Sequence, residues 1–441
     1  MKTLLKNATL VTLRGQQKAD LLIDNEEGRL IEISDSISEE GVETVIDCTG
    51  KHVLPGVIDP HVHLRVPGAE QKEDWDTGTA AAAAGGVTTI LDMPNNSPAV
   101  TTREILNKKR ELVEGKSCVD YGLYMGATVD QATGQTNVDE YLASDAVALK
   151  IYMGSSTGDL LVHKHEWVDQ IFEKAAEAGR IVCVHAEDEA LIRENSLKYT
   201  NDDPTVHPKI RDDEVAHRAV KAALEMAQKH GSRLHICHLS TKRGLDEFVK
   251  FKSDRISCEV TPHHVFLDQS ELVKQGNFAK MNPPLRLPED NAALIEGIKS
   301  GVVNMVATDH APHLPEEKEQ SYSKAPAGVP GLETSLPLLL DAVNRGEFEL
   351  KDVVRVTSEE PARVFGLKNK GRLDVGMDAD LVVVDMSLEQ VVENGGPGAR
   401  FTKCGWSAFA GRTLKGWPVM TFVRGVLAYA NGETHVVGRR L

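Results

Sequence analysis

The sequence VLPGVIDPHVHLR, residues 53–65, decides how the rest of the chain is interpreted. Its first part, residues 53–58, is a short apolar run that predicts a buried strand. Because successive side chains of a strand alternate between two faces, we expect His61 and His63 to point the same way. Two imidazoles on one face, just past a strand end, form half of a metal site. The alternative is a polar strand end that carries two solvated histidines.

Length and composition are those of an ordinary folded protein with room for one large domain and a smaller one. The chain has 441 residues, of which 41% are hydrophobic and 26% are charged. Its formal net charge of -16 argues against nucleic acid and anionic membrane as partners, although a local cationic pocket remains compatible with a small anionic substrate. Six scattered cysteines without a CxxC pair indicate a reducing compartment. With no signal-peptide pattern at residues 1–6 and no apolar run of transmembrane length, we expect a cytoplasmic protein.

Apolar runs alternate with helix-like segments from residue 53 to residue 367. Eight runs predict strands: 53–58, 87–93, 119–124, 146–152, 180–184, 233–237, 256–260 and 303–307. Helical patterns lie between them, at 77–84, 101–114, 164–178, 213–230, 242–252 and 289–299. Eight strands that alternate with helices predict parallel strands joined by right-handed crossovers. The sequence therefore predicts an α/β fold, a (β/α)₈ TIM barrel, over residues 53–367.

The two ends of the chain have a different rhythm, with short strand-like segments separated by turns. Residues 1–52 alternate around Gly28 and lack the apolar content to close a core of their own. Residues 368–441 return to the same pattern and can complete that sheet. We therefore predict a small discontinuous β-sandwich domain, made of 1–52 together with 368–441.

Lys150 is the next candidate functional residue, and it lies inside an apolar strand. A lysine buried in a strand is costly unless it is neutralised or paired. One interpretation is a lysine that extends to the rim of the barrel. The other is a carbamylated lysine, in which a neutral amine takes up CO₂ and becomes a carboxylate that bridges two cations. The sequence leaves both interpretations open.

Three further candidates follow predicted strands. His185 and His238 each end an apolar run, where a barrel carries out its chemistry. Alternation puts His235 on the other face from His238, and we interpret His235 as a structural histidine that faces the helices. Asp309 follows the eighth run; it is either a helix N-cap or, opposite four histidines, a ligand or base. Such a set suits Zn²⁺ and predicts hydrolysis at a carbonyl or amide carbon.

These motifs resemble those of the cyclic amidohydrolases of the amidohydrolase superfamily, and most closely those of the dihydroorotases. The resemblance covers nearly the whole chain. The motifs that carry it are DPHVHLR at 59–65 and ATDHAPH at 307–313 with Lys318, supported by DMPNN at 92–96, MNPPLR at 281–286 and VPGLET at 329–334.

The resemblance implies two Zn²⁺ ions per subunit and a role for each candidate. His61, His63, the carboxylated Lys150 and Asp309 would bind one ion, and Lys150, His185 and His238 would bind the other, with a hydroxide between the two ions. It also implies that Asp309 is catalytic and moves a proton between that hydroxide and the ring nitrogen.

The resemblance further implies substrate contacts, which are His63, Arg65, Asn95, Asn282, His313, Ala327 and Gly328. Arg65, Asn95 and His313 would hold the substrate carboxylate. Asn282 and the backbone around Ala327 and Gly328 would touch the pyrimidine ring. A guanidinium offers a planar fork to a carboxylate, and Arg65 shares the face of His63 if the strand continues.

The activity implied by the resemblance is the reversible cyclisation of N-carbamoyl-L-aspartate to L-dihydroorotate in pyrimidine biosynthesis. Dihydropyrimidinase (hydantoinase) and allantoinase are alternatives, but their substrates lack the ring carboxylate. Hydantoinases similar to this chain place a tyrosine five residues after the bridging lysine, where this chain has Ser155. A non-catalytic scaffold is a further alternative, against which all six ligands argue. A homodimer and an association with aspartate transcarbamoylase are left open.

The segment GSSTGD at 154–159 follows the fourth predicted strand. Its two glycines and small hydroxyl residues suit a mobile lid, with an ordinary solvated loop as the alternative. Since the segment begins four residues after Lys150, we expect it to lie over the metals. In the family that the chain resembles, a loop near the site closes over substrate, and Ser156 or Thr157 would reach the ligand here.

Overall fold

The computed structural model describes residues 1–156 and 160–441. Its strands are β1 (Lys2–Thr12), β2 (Gly15–Asp24), β3 (Arg29–Ser34), β4 (Thr44–Asp47), β5 (His52–Pro55), β6 (Val57–Val62), β7 (Val87–Asp92), β8 (Asp120–Leu123), β9 (Met125–Gly126), β10 (Leu149–Tyr152), β11 (Ile181–His185), β12 (Arg233–Ile236), β13 (Ile256–Val260), β14 (Met305–Val306), β15 (Leu381–Val391), β16 (Thr413–Val423), β17 (Val426–Ala430) and β18 (Glu433–Thr434).

Helices fill the intervals between the middle strands, as the sequence rhythm predicts. They are α1 (Trp75–Ala84), α2 (Arg103–Val113), α3 (Val138–Leu142), α4 (His165–Glu177), α5 (Glu189–Lys198), α6 (His207–Ile210), α7 (Asp213–His230), α8 (Lys242–Phe251), α9 (Pro262–Phe266), α10 (Glu271–Gln275), α11 (Pro288–Lys299), α12 (Pro315–Lys318), α13 (Ser335–Asn344), α14 (Leu350–Val354) and α15 (Glu360–Phe365). Short 3₁₀ helices cover Pro204–Val206 and Gly276–Ala279, and a π-helix covers Arg355–Glu359. None of the described helices is long and apolar enough to cross a membrane.

The strands β6 to β14 run parallel and form the wall of a barrel. β6, β7 and β8 pair in that order, and β9 to β14 continue in chain order. β8 and β9 are two parts of one strand, so the described residues give eight barrel positions. The backbone N–H of His63 donates to the carbonyl of His310 at 2.8 Å, and a parallel bridge between Val62 and His310 joins the first strand to the segment after the last. This is the arrangement of an α/β barrel, as predicted.

The strands at the two ends of the chain pair with each other. They form one sheet in the order β18-β17-β16-β15-β5-β1-β2-β3, with β4 paired to β1. The junction is antiparallel between β5 and β15, where Val53 lies opposite Val383. One connected sheet is thus built from both ends of the chain. The two-layer sandwich, and the division of the chain into 1–52 with 368–441 and 53–367, stay predictions.

The run at residues 53–58 was predicted as a single strand, and the structure divides it at Gly56. β5, before the glycine, pairs with β1 and β15, whereas β6, after it, pairs with β7. A Cβ at Gly56 would lie 2.2 Å from Oγ1 of Thr88, so a side chain has no room there. The prediction of one strand was wrong because apolar patterning records burial, and both halves of the run are buried in different sheets.

We expect Gly56→Ala to destabilise the protein, because the new methyl group overlaps Thr88. Overpacking of this kind costs about 1–3 kcal/mol and should lower the midpoint of thermal unfolding. In the double variant Gly56→Ala/Thr88→Ala, most of the overlap is removed, so its destabilisation should be smaller than the sum of the two single effects. Purely additive midpoint shifts would contradict this packing argument.

Candidate active site

A cavity open to solvent lies at the carboxyl ends of the barrel strands. Its lining contains most of the residues singled out from sequence: His61, His63, Arg65, Asn95, Ser156, His185, His238, Asn282, Asp309, Ala327 and Gly328, together with Tyr152 and Ala311. Lys150 lies fully buried beside Tyr152, and His313 contacts Arg65 from behind the lining. Thr157 lies outside the described residues. The fold thus gathers residues that are spread over some 270 positions of the chain.

Two histidine nitrogens lie close to one carboxylate oxygen of Asp309. Nε2 of His61 lies 3.2 Å and Nε2 of His63 lies 3.0 Å from Oδ1 of Asp309. Zinc binds nitrogen and oxygen at about 2.0–2.2 Å, so atoms that share one zinc ion lie about 3 to 3.5 Å from each other. The spacing of these three side chains therefore fits a single cation.

A second pair of histidines faces the first. Nδ1 of His185 lies 3.0 Å from Nε2 of His238, again the separation of two atoms that share a cation. The rings of His61 and His238 are 5.4 Å apart, so the two groups are neighbours in one site. The Nδ1 atom of His238 has no partner among the described residues.

Polar groups behind the histidines determine which ring nitrogen faces the cavity. Nδ1 of His61 bonds to Glu259, and Nδ1 of His63 lies 2.6 Å from Oδ1 of Asn95. Each oxygen accepts a hydrogen bond from the Nδ1–H group of the ring. Nε2 of both rings therefore carries a lone pair, which points toward Asp309. In the same way, Nε2 of His185 lies 2.8 Å from Glu187 and its Nδ1 faces His238.

Burial and neighbouring charges shift the pKa values of His63, His185, His238 and Asp309 in the directions that favour metal binding. Burial lowers the pKa of His63 to about 4, and it also lowers the pKa values of His185 and His238. Burial raises the pKa of Asp309, but the neighbouring His61 and His63 lower it by more, so the pKa lies well below its usual range. Neutral imidazoles and a charged carboxylate are the forms in which these residues bind cations.

Lys150 makes no hydrogen bond of ordinary geometry to any described residue, although it is fully buried. Burial lowers the pKa of its amine, whereas Cys237, Tyr152 and Glu259 raise it by more. Burial also raises the pKa values of the Cys237 thiol and the Tyr152 hydroxyl, so Glu259 carries the negative charge at neutral pH. A protonated amine cannot add CO₂, so carboxylation of Lys150 requires that this proton leaves first. The neutral amine expected from sequence stays a prediction.

Three residues of the cavity have left-handed backbones: Arg65 at φ 63°, His238 at φ 37° and Asp309 at φ 47°. Such angles are costly for residues other than glycine and concentrate at functional sites. β6 ends at Val62, so Arg65 does not reach the cavity by strand alternation. A turn brings it there instead, and the continued strand considered from sequence is wrong.

The interpretation of His235 as facing the helices is wrong. Its ring nitrogens bond to Ser257 and Glu259, both at 2.9 Å, and its ring packs on Phe365 at 5.6 Å. It is Leu234 and Ile236 that share a hydrophobic cluster with residues of α7 and α8. The alternation was counted from His238, which lies beyond the end of β12 in a left-handed conformation, so the count was shifted by one face.

Arg65 is a buried cation that faces the cavity. Its Nε donates to the carbonyl of Pro312 at 3.2 Å, and within the described chain it forms no ion pair with a carboxylate. His313 lies behind it: Lys72 is 3.2 Å from Nδ1 of this ring and donates to it, so Nε2 carries the proton and donates to the carbonyl of Ala327 at 3.1 Å. The guanidinium therefore remains available to an anionic ligand.

Sequence reasoning missed Glu259, Glu187 and Tyr152. Glu259 holds His61 and His235 and accepts the backbone N–H of His238 at 3.2 Å. An acid inside the apolar strand β13 is the same signal that drew attention to Lys150, so Glu259 was recognisable. Glu187 and Tyr152 each lie two residues beyond a candidate ligand, and nothing in their local sequence distinguishes them.

Comparisons with known proteins agree with this fold. The amidohydrolase family model matches residues 52–428. A dihydroorotase of Methanosarcina mazei is 38% identical over 92% of this chain and 90% of its own length, and one of Pyrococcus abyssi is 40% identical over 88% and 86%. The solved structure of the L-hydantoinase (dihydropyrimidinase) from Arthrobacter aurescens has a TM-score of 0.93 and 30% identity, and covers 99% of each chain.

A parallel barrel that gathers histidines and a carboxylate at its strand ends defines this protein as an enzyme, a cyclic amidohydrolase. The solved hydantoinase shares that architecture, while the curated relatives at 35–40% identity extend the likeness to sequence. The chain belongs to the amidohydrolase family and, within it, to the dihydroorotases.

We expect Glu259→Gln to weaken metal binding by about 10- to 100-fold, because the carboxylate behind His61 fixes its proton and orientation. Competition with a chelator, read as metal retained per subunit, measures this. Glu333→Gln is the matched control: Glu333 is another buried glutamate, but it accepts backbone N–H groups of Arg400, Phe401 and Thr402 away from the cavity. Equal metal retention in wild type and Glu259→Gln would contradict the role given to Glu259.

Proposed function

We propose that this protein is a dihydroorotase of the cytoplasm, which interconverts N-carbamoyl-L-aspartate and L-dihydroorotate in pyrimidine biosynthesis. The observation that carries the proposal is the buried guanidinium of Arg65 beside the histidine cluster. A buried cation without an acidic partner requires an anion, and the ring carboxylate of dihydroorotate supplies one. Dihydrouracil, hydantoin and allantoin lack that carboxylate.

Two zinc ions are the proposed cofactors, and the donor set supports them. His61, His63 and Asp309 would hold one ion, His185 and His238 the other, and an N6-carboxylated Lys150 would bridge both. Among the described residues the buried Nζ of Lys150 has no hydrogen-bond partner, and a bridging carboxylate formed at this atom would give it two cations to bind. When bound, the ions lower the pKa of water and polarise the ring carbonyl.

Asp309 moves the proton in the proposed reaction. In ring opening, the oxygen of water forms a bond to the ring amide carbon, and the bond from that carbon to the ring nitrogen breaks with its electron pair going to nitrogen. Asp309, held as an anion, accepts the proton that water loses and delivers it to that nitrogen. The new carboxylic acid releases its proton at neutral pH, and the reverse sequence closes the ring.

In this proposal Arg65 and Asn95 bind the substrate carboxylate, with His313 beside them. The substrate ring contacts the backbone of Ala327 and Gly328, which is held in place by its neighbours. Nζ of Lys318 donates to the carbonyls of Pro326 and Gly328, both at 2.9 Å, which holds the segment that presents Ala327. A Cβ at Gly328 would lie 2.5 Å from the carbonyl of Ala311, so glycine is required there.

Asn282 and Ser156 complete the proposed substrate contacts. Oδ1 of Asn282 accepts from Nε2 of His207 at 2.9 Å, so we assign its amide NH₂, which lines the cavity, as a donor to the substrate. Ser156 lines the cavity, and its neighbour Ser155 is anchored by Glu189 at 2.7 Å. We assign closure over substrate to Ser156 or Thr157, of which Thr157 lies outside the described residues.

Substrate preference tests the proposal against dihydropyrimidinase, which the solved L-hydantoinase makes the main competitor. We expect the enzyme to open dihydroorotate faster than dihydrouracil or allantoin. Arg65→Gln should reduce kcat/KM for dihydroorotate by about 10- to 100-fold, the value of a charge-assisted hydrogen bond, and leave dihydrouracil turnover unchanged. Wild-type turnover of dihydrouracil that equals or exceeds that of dihydroorotate would refute the assignment.

We expect Lys150→Ala to lose at least one metal and most activity, because the bridging oxygens are gone. Small carboxylic acids should restore part of the activity by replacing those oxygens. Metal analysis and turnover measure both effects. Lys370→Ala is the control, since Lys370 is a buried lysine that pairs with Asp120 at 2.7 Å outside the cavity; it should lose stability and keep its metals. Two metals and full turnover in Lys150→Ala would disprove the bridge.

The proposed small-molecule partner is the anionic substrate. The proposed protein partner is a second copy of the chain or an aspartate transcarbamoylase. Gel filtration of the protein alone and with that enzyme distinguishes a monomer, a homodimer and a mixed complex.

A further inference from the structure

The hydroxyl of Tyr152 is a polar group that the site described so far does not use. Its side chain is 5% exposed and lines the cavity, yet the hydroxyl has no hydrogen-bond partner among the described residues. Two other buried tyrosines differ: Tyr124 donates to the carbonyl of Pro60 at 3.0 Å, and Tyr141 to that of Ile181 at 2.8 Å. A buried hydroxyl without a hydrogen-bond partner lowers the stability of the fold. A bound ligand that accepts a hydrogen bond from this hydroxyl would offset that cost.

The position of Tyr152 indicates which part of a ligand it meets. Its ring lies 5.8 Å from the ring of His185 and 5.2 Å from Nζ of Lys150. β10 and β11 pair so that Tyr152 is directly opposite His185. Tyr152 therefore stands beside the groups that surround the reacting carbon, whereas the proposed carboxylate grip is formed by Arg65 and Asn95.

We propose that Tyr152 is a catalytic residue whose hydroxyl donates a hydrogen bond to the oxygen of the ring amide carbonyl. As the oxygen of water bonds to the carbonyl carbon, an electron pair moves to the carbonyl oxygen, and it returns when the carbon–nitrogen bond breaks. The hydroxyl keeps its proton throughout and stabilises the charge on that oxygen. A donor already fixed in a buried site stabilises developing charge without reorganisation. This assignment rests on the proposed function for the identity of the substrate.

Tyr152→Phe tests the proposal because it removes one hydroxyl and keeps the ring that packs on His185. We expect kcat to fall by about tenfold or more, since loss of an oxyanion donor affects turnover, with KM and metal content unchanged. The midpoint of thermal unfolding should stay the same or rise, because an unpaired buried hydroxyl has been removed. Tyr141→Phe is the matched control; it should unfold at a lower temperature and keep full kcat.

Three results would overturn the proposal: an unchanged kcat in Tyr152→Phe, a rise in KM without a fall in kcat, or a loss of metal or stability that explains the lost activity. Wild type is assayed first with dihydroorotate and dihydrouracil, and the variants with whichever ring it opens. If dihydrouracil is preferred, the proposed function fails; the role of Tyr152 is then still decided, because both rings present the same amide carbonyl.

Discussion

Closure of the barrel between its first strand and the segment after its last strand is the constraint on which this site depends. The backbone N–H of His63 bonds to the carbonyl of His310, and this brings His63 to Asp309, 246 positions away in the chain. Nε2 of His61 and Nε2 of His63 then lie 3.2 Å and 3.0 Å from one carboxylate oxygen of Asp309. The same contact thus closes the wall of the barrel and assembles the first half of the histidine cluster.

Polar groups at the outer nitrogens of the histidines complete that arrangement. Glu259, Asn95 and Glu187 occupy the outer nitrogens of three histidines, and each fixes the direction of an inner lone pair. In contrast, Nζ of Lys150 and the hydroxyl of Tyr152 have no hydrogen-bond partner among residues 1–156 and 160–441. Proteins accept such local costs at functional sites, where a bound ligand supplies the missing partner. The distribution of paired and unpaired groups therefore outlines what the cavity is built to hold.

Burial was the property that sequence patterns predicted well. The barrel strands were recognisable because each is an apolar run, and Lys150 stood out as a charge within one of them. Glu259 carries the same signal, since it is an acid within the apolar strand β13. Gly56 was not recognisable as a boundary, since β5 and β6 form one continuous apolar run and only their pairing partners distinguish the two sheets.

The sequence by itself determined which chemical groups are available, in which order they follow the strands, and that an α/β barrel would carry them. Tertiary structure alone decided how they face each other. Alternation is a property of extended backbone and ends where the strand ends, so the left-handed turns at Arg65, His238 and Asp309 could not be counted from it. Which nitrogen of His61 or His185 faces the cavity depends on Glu259 and Glu187, and for His61 that partner comes from a distant strand. The contact between His61 and Glu259 arises only when separate strands pack together, and no local pattern encodes it.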